Sequence, residues 1–327
     1  QTGNNGITHM SLHPFAARRL SDTTKTRPMM ESITPRWFLD FLPWVSVQAG
    51  VYRVNRIKRM LDANEPVNDY GEKLIESKHT PIDEEWITET YPDYEAQPDE
   101  YMLSVVQTIL RLNTNVTDIF NCPYNQKDEQ VRLTIEAMRE RQEWEMINNP
   151  EFGLLHVAAP HMRVSTRQGA PRPDDLDELL ALVWKKPAFF LAHPKAIAAF
   201  GRECTKRGVP PVAVHIMGAP FITWRGVPLV PCDKLMVGCH MNPRRCGGRT
   251  NILLVRVGEA EQGVIGLHQP GIPDETDIPS LSMRLAGIDN RGIASYILSL
   301  YFSVAVLASD ALGVLENVEV GSYHDYR

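Results

Sequence analysis

The stretch EQVRLTIEAMRERQEWEMINNPEFGLL, Glu129 to Leu155, reads as one long helix that ends near Asn148–Asn149, with Pro150 just beyond it. At about 100° per residue, Val131, Ile135, Met138 and Met146 fall on one side and Leu133, Ala137, Trp144 and Ile147 nearly opposite. A helix with two apolar faces needs two partners. Arg132, Glu136, Arg139, Glu140, Glu143 and Glu145 lie between those faces, so the helix is neither fully buried nor a membrane span. It is expected to act as a spine wedged between two layers, one of them supplied by another subunit.

Composition sets the class around this helix. The chain has 327 residues, 43% hydrophobic and 23% charged, enough for one large domain or two ordinary ones. No apolar run reaches the roughly eighteen residues a bilayer-spanning helix needs, and Tyr296 to Leu307 contains Ser299 and Ser303. Gln1 to Met10 lacks the basic and apolar regions of a secretory signal, so a cytoplasmic protein without membrane attachment is expected. Five cysteines, Cys122, Cys204, Cys232, Cys239 and Cys246, are an odd number and suggest reduced thiols rather than a disulfide framework. The net charge of −6 is unevenly spread: Asp62 to Glu100 holds thirteen acids and two lysines, or −11, leaving 32 basic against 27 acidic residues, or +5, elsewhere. No dense Lys/Arg stripe appears, which disfavours a nucleic-acid partner.

Outward from the spine, residues 1–30 are polar and punctuated by His13-Pro14 and Arg27-Pro28, an arm that must lie on something else. Thr34-Pro35 is expected to cap and open a helix through Trp37, Phe38, Phe41 and Leu42. WVSVQAGVYRV alternates weakly as a strand. Asp62 to Glu100, with four prolines and isolated Tyr70, Trp86 and Tyr91, is expected to be a long extended excursion pairing with a neighbouring chain. Met102, Val105, Val106, Ile109 and Leu112–Val116 keep a helical rhythm, which predicts a helix over 100–120. A further helix starts at Pro173, with Leu176, Leu179, Leu180, Val183 and Trp184 as its apolar positions. Ala188–Ala192 reads as a buried strand, and the next helix runs from Pro194 to Arg207 with Gly208 stopping it. Beyond Val209 short strands are expected at Val212–Met217, Phe221–Trp224, Asn251–Val257, Val264–Gln269, Leu281–Leu285 and Tyr296–Leu307, then one or two helical turns at Asp310–Leu315. The fold class is mixed α+β, with helices gathered before residue 210 and strands after it.

The common nucleotide-binding, hydrolase and metalloprotease signatures do not occur, and no catalytic residue or cofactor is assigned. Asp174-Asp175 at a helix start reads as a cap. One constellation stands out: Cys232, then Cys239-His240, then Cys246 with Gly247-Gly248. Three thiols and an imidazole fit a Cys3His zinc site in number but not in spacing. A redox or persulfide-accepting loop, its thiols activated by Arg244 and Arg245, is a second reading. The plainest is a Gly- and Cys-containing surface loop between strands, with no metal, and it is the one adopted. Cys204 reads as a small packing residue and His193 as a cap.

The runs RLTIEAMRERQEWEMINNPEFGLL, PDDLDELLALVWKKPAFFLAHPKAIAAFGRECTKRGVPP, FITWRGVPLVPCDKL, ILLVRVGEAEQGVIGLHQPG and SYILSLYFSVAVLASDALGVLENVEV together resemble the family 2 encapsulin shell proteins, over roughly Ala16 to Tyr323. The resemblance implies the tailed-phage (HK97-like) capsid fold: an N-terminal arm (1–45), an E-loop (60–99), a P-domain (46–59, 100–193 and 306–327) with the spine helix, and an A-domain (194–305). It implies a non-enzymatic icosahedral homo-oligomer of about sixty copies. With no appended cyclic-nucleotide-binding domain, it points to the subgroup that packages a cysteine desulfurase. By position, Lys206 and Arg207 become candidate pore residues, and Leu133, Trp144 and Trp86 candidate subunit-interface residues. A phage-derived DNA-packaging capsid fits the implied fold as well, and the cargo-docking residues are unassigned.

Overall fold

A computed structural model of the protein describes residues 33–48, 50–55, 57–59, 66–68, 74–75, 92–94, 96–113, 126–238, 248–269 and 281–324. The chain enters through helix α1 (Trp37–Phe41) and strand β1 (Trp44–Ser46), then β2 (Val51–Val54), β3 (Ile57–Arg59), β4 (Pro92–Tyr94), β5 (Asp99–Met102) and β6 (Ser104–Asn113). The long helix α2 (Gln126–Asn148) follows, with the short α3 (Leu154–Val157), β7 (Arg163–Ser165), α4 (Pro173–Leu182), β8 (Phe189–Ala192) and α5 (Pro194–Lys206). The remaining strands are β9 (Val212–Ile216), β10 (Ala219–Trp224), β11 (Val227–Pro231), β12 (Arg249–Val255), β13 (Val264–His268), β14 (Leu281–Ile288), β15 (Ile293–Val306) and β16 (Leu312–Glu319).

Val47–Met102 forms one compact unit, and Gln1–Ser46 with Leu103–Arg327 forms the other. The smaller unit is built from two antiparallel ribbons, β2 on β5 and β3 on β4, so the chain runs out and back along itself. Of the extended excursion expected over Asp62 to Glu100, residues 66–68, 74–75, 92–94 and 96–100 are described, and β4 and the start of β5 lie within them. The stretch 76–91, Trp86 included, lies outside the described residues, as do the arm 1–32 and Cys122.

In the larger unit a seven-stranded sheet has the order β7-β16-β12-β8-β11-β10-β9. Strand β8 pairs parallel with β11 and antiparallel with β12, and all four of its side chains are buried. A strand covered on both faces reads as an unbroken apolar run, as Phe189-Phe190-Leu191-Ala192 does. Because side chains alternate, Phe189 and Leu191 pack with Phe38, Met146 and Ile147 of α1 and α2. Phe190 and Ala192 pack with Leu176 and Leu179 of α4 and Phe200 and Cys204 of α5. The result is helix, sheet, helix in three layers.

A second sheet has the order β1-β13-β15-β14, with β6 also on β15. The 14-residue β15 pairs with β6 along its first part, Ile293 opposite Asn113, and with β13 along its last, Val306 opposite Val264. Here the helix expected over 100–120 is overturned as far as Asn113, and 114–120 lie outside the described residues. Val105, Gln107, Ile109 and Arg111 are exposed while Val106, Thr108 and Leu110 are half-buried and Leu112 buried, a period of two. The β-branched Val105, Val106, Thr108 and Ile109 suit the strand that β15 pairs with.

Other boundaries shift. The α1 helix starts at Trp37 with Arg36 as N-cap, not at Pro35. The turn expected at Asp310–Leu315 is a 3-10 turn at Ser309–Ala311 feeding strand β16, and β7 and β11 were not anticipated. The α4 and α5 helices agree with expectation: the Asp175 carboxylate accepts from the Arg172 N–H at 3.0 Å, His193 Nδ1 accepts from the Lys195 N–H at 3.1 Å, and Gly208 takes φ +68°. The hairpin linking β10 and β11 turns at Arg225-Gly226, both at positive φ.

The spine helix α2 is longer at its start than the sequence suggests, and its buried residues are Met138, Gln142, Glu143, Met146 and Ile147. Ile147 therefore lies with Met146 on the core side rather than on the opposite face. Leu133 and Trp144 are half-buried and Ala137 exposed. No helix among the described residues is long and apolar enough to cross a membrane.

Candidate functional site

Glu136, Glu140 and Glu143 recur at i, i+4 and i+7 on α2 and so share one face of the spine. Opposite them stand Arg36, just ahead of α1, and Cys232-Asp233-Lys234, just after β11. Arg36 Nη2 donates to Glu136 Oε2 at 2.5 Å and Nη1 to Glu140 Oε1 at 3.0 Å. Lys234 Nζ lies 2.6 Å from Glu140 Oε2 and 2.6 Å from Asp233 Oδ1. Glu140 thus uses both oxygens to join two cations, and the spine is tied at one point to the entering segment and to the seven-stranded sheet. The Asn148 amide donates to the Lys234 carbonyl at 2.8 Å and extends the seam to the end of the helix.

Both cations are largely buried. For Lys234 burial opposes the charge, but the hydrogen bonds to Asp233 and Glu140 and the field of Glu143 outweigh it, and the ammonium is held above its ordinary range. Arg36 follows the same pattern with Glu136 and Glu140. Such a seam fixes which face of α2 meets the sheet, since a slip would strand buried charge.

Next to the seam, the Cys232 thiol donates to Glu143 Oε1 at 3.0 Å, with both residues 2% exposed or less. Burial pushes the Glu143 carboxyl up and the Cys232 thiol well above its usual value, so the thiol is protonated and not a nucleophile. Glu143 Oε2 is buried without a hydrogen-bond partner among the described residues. The donor atoms of Glu143, Cys232 and the exposed Asp233 all lie within 4.8 Å of one another. Cys232 therefore belongs to the core rather than to a surface loop, contrary to expectation; Cys239, His240 and Cys246 lie outside the described residues.

Lys206 is exposed at the end of α5, followed by Arg207. Arg207 is tied back to its own helix: Nη1 donates to the Glu203 carbonyl at 3.0 Å and to the Glu203 carboxylate. Glu203 also meets His324 Nε2 at 2.9 Å, while Arg202 donates to the carbonyls of Val320 and Ser322 and stacks on Tyr323. The tail 320–324 is thus strapped along α5. Cys204 is fully buried, its thiol pushed up to about 11 by burial, as a packing residue. On α2 the Arg141 guanidinium sits 4.6 Å from the centroid of the Trp144 ring. The structure brings Glu143 to Cys232 and joins Arg36 to Lys234 through Glu140, associations the sequence did not suggest, since the i, i+4, i+7 row of glutamates names no partner.

A family model described as type 2A encapsulin shell protein, SrpI-like, matches residues 60–322. The type 2A encapsulin shell protein SrpI of Synechococcus elongatus is 52% identical over 318 residues, which cover 97% of each chain. In the cryoEM structure of the holo-SrpI encapsulin complex from Synechococcus elongatus PCC 7942, the matching chain is 50% identical with a TM-score of 0.78, covering 97% of this chain and 100% of that one. The capsid of a native GTA particle shares the fold at 12% identity, with a TM-score of 0.57 over 90% of this chain and 94% of its own. The chain has the HK97-like capsid fold and belongs to the type 2A encapsulin shell proteins, structural proteins that form a nanocompartment rather than enzymes.

Proposed function

We propose that the chain closes into an icosahedral shell of about sixty copies around a cargo cysteine desulfurase, in sulfur metabolism or storage. The observation that carries this reading is the 50% identity, over the whole of that chain, to the shell protein of a holo complex. In this reading 1–45 is the arm, 60–99 the E-loop, the spine and β6 belong to the P-domain, and 194–305 forms the A-domain. Leu133 and Trp144, half-buried within one chain, are covered by the E-loop of a neighbour. Lys206, exposed at the end of α5, faces a pore, and Arg207 braces that turn.

Coexpression with a cysteine desulfurase carrying its native terminal segments tests the proposal. Closed particles by negative-stain microscopy that retain desulfurase through size exclusion are expected. Particles that form but never retain it refute the cargo assignment, and species no larger than dimers refute the closed shell. Absorbance at 260 nm no higher than the protein and its cofactor explain is expected; excess absorbance that nuclease cannot remove would favour a nucleic-acid cargo.

A further inference from the structure

We infer that Cys232, Glu143 and Asp233 form a site for one divalent transition-metal ion of the zinc type, held between the spine helix and the segment that follows β11. The donor set comes first. A thiol and two carboxylates with ligand atoms within 4.8 Å of one another match the sulfur and oxygen ligands that zinc and its congeners take. In a tetrahedral zinc site a sulfur and an oxygen ligand stand about 3.5 Å apart, from Zn–S near 2.3 Å and Zn–O near 2.0 Å. The Cys232–Glu143 pair, at 3.0 Å, has only to open by about half an ångström. Asp233 is the exposed member, held through one oxygen by Lys234, and the ion reaches the site from its side.

The second observation is electrostatic. Glu136, Glu140, Glu143 and Asp233 face Arg36 and Lys234, four carboxylates against two cations. Arg36 and Lys234 between them bond Glu136, Glu140 and Asp233 and leave Glu143 without an ionic bond. Glu143 is 1% exposed, and among the described residues its Oε1 meets only a thiol and its Oε2 has no partner. A buried carboxyl so placed must take a proton or a cation. With the Cys232 thiolate the cluster carries five negative groups against two cations, so a divalent ion brings it to a net charge of −1, and Glu143 Oε2 or a water fills the ion's fourth position. As the metal–sulfur bond forms, the Cys232 proton passes to solvent, with that of Glu143 if it is protonated, so uptake releases at least one proton per ion. Lys234 stays on Glu140 and on one oxygen of Asp233, leaving the other oxygen for the metal.

The test uses assembled shells stripped with a chelator and then titrated with cadmium, whose thiolate charge-transfer band reports sulfur ligation, with zinc retention after desalting read by elemental analysis. One ion per chain is expected. Cys232→Ser and Glu143→Gln should remove the band and weaken zinc retention at least tenfold, while a Cys239→Ser/Cys246→Ser double variant should keep both. Light scattering verifies that each variant still forms particles. If Glu143→Gln does not assemble, Asp233→Asn takes its place and should weaken retention, and proton release by the unmodified shell is measured directly. Shells that retain no metal overturn the inference, as does a band that survives Glu143→Gln or Asp233→Asn, or one that disappears with Cys239 and Cys246. Because particle formation is read separately, a failed site leaves the shell assignment standing.

Discussion

Gly266→Ala should loosen the attachment of β1, and the reason is geometric. Gly266 is the register partner of Trp44, and a Cβ there would lie 2.5 Å from Cε3, 2.7 Å from Cδ2 and 2.8 Å from Cζ3 of the indole. The ring has little room to retreat: Nε1 donates to the Leu39 carbonyl at 2.9 Å, and the Gly266 N–H bonds the Pro43 carbonyl at 2.8 Å. Overpacking at such a site costs about 1–3 kcal/mol. Losing the indole hydrogen bond adds about 1 kcal/mol, for a total near 2–4 kcal/mol. For a chain of this size that is a drop in Tm of roughly 3–6 °C by calorimetry. A double-mutant cycle isolates the cause, since in a Trp44→Leu background the alanine has no ring to strike and most of the cost should vanish. An unchanged Tm for Gly266→Ala, or an equal cost in both backgrounds, would refute the assignment of that glycine to close approach.

Three further outcomes are expected. Arg36→Met leaves Glu136 and Glu140 facing each other with only Lys234 to answer them, and should cost about 1–3 kcal/mol in urea unfolding, allowing for the partial exposure of both carboxylates; adding Glu136→Gln should restore part of it. Asp310 is held below the usual carboxylate range: burial acts to raise it, but Arg256 and Lys185 outweigh that. A depressed folded pKa contributes stability that is present above about pH 4 and lost as pH falls through the folded value, so Asp310→Asn should flatten the acid limb of the stability–pH curve while lowering stability at pH 7. Trp144→Glu and Leu133→Glu should impair particle formation, read by light scattering, more than they shift chain unfolding; complete shells of normal stability from either variant would show that this side of the spine is not an interface.

Where a local rule suffices, the fold is readable from the residues. Caps at Asp175 and His193, the stop at Gly208 and the apolar run of β8 each depend on a few neighbouring positions. Strand β6 is different, because Val105, Val106, Ile109 and Leu112 keep a helical period while Val106, Thr108, Leu110 and Leu112 keep a strand's, and only the ladder with β15, some 190 positions on, selects between them. The second face of the spine was overdrawn at Ile147 for a related reason: the buried arc is centred between the two proposed stripes, where Gln142 and Glu143 sit, and polar residues in a core carry no apolar signal. The seam was invisible in sequence because Arg36 and Glu136 are a hundred positions apart and Glu143 and Cys232 eighty-nine. Three glutamates in a row on one helix face look like a solvated surface until their cations are found.

The place of β16 in its sheet bears on how the protein is made. It is the last described strand in sequence, yet it lies between β7 and β12, parallel to one and antiparallel to the other, with Gly313 set close against Leu179 and Val183. During synthesis β7, β8, β11 and β12 leave the ribosome first, and β7 and β12 then present unpaired edges to each other across a gap one strand wide. No earlier described strand fills that gap. A prematurely terminated chain therefore cannot close its own sheet or settle α4 upon it, and it offers no finished surface to neighbouring copies. The topology thereby makes length a condition of folding: only a chain translated through β16 can complete the seven-stranded sheet.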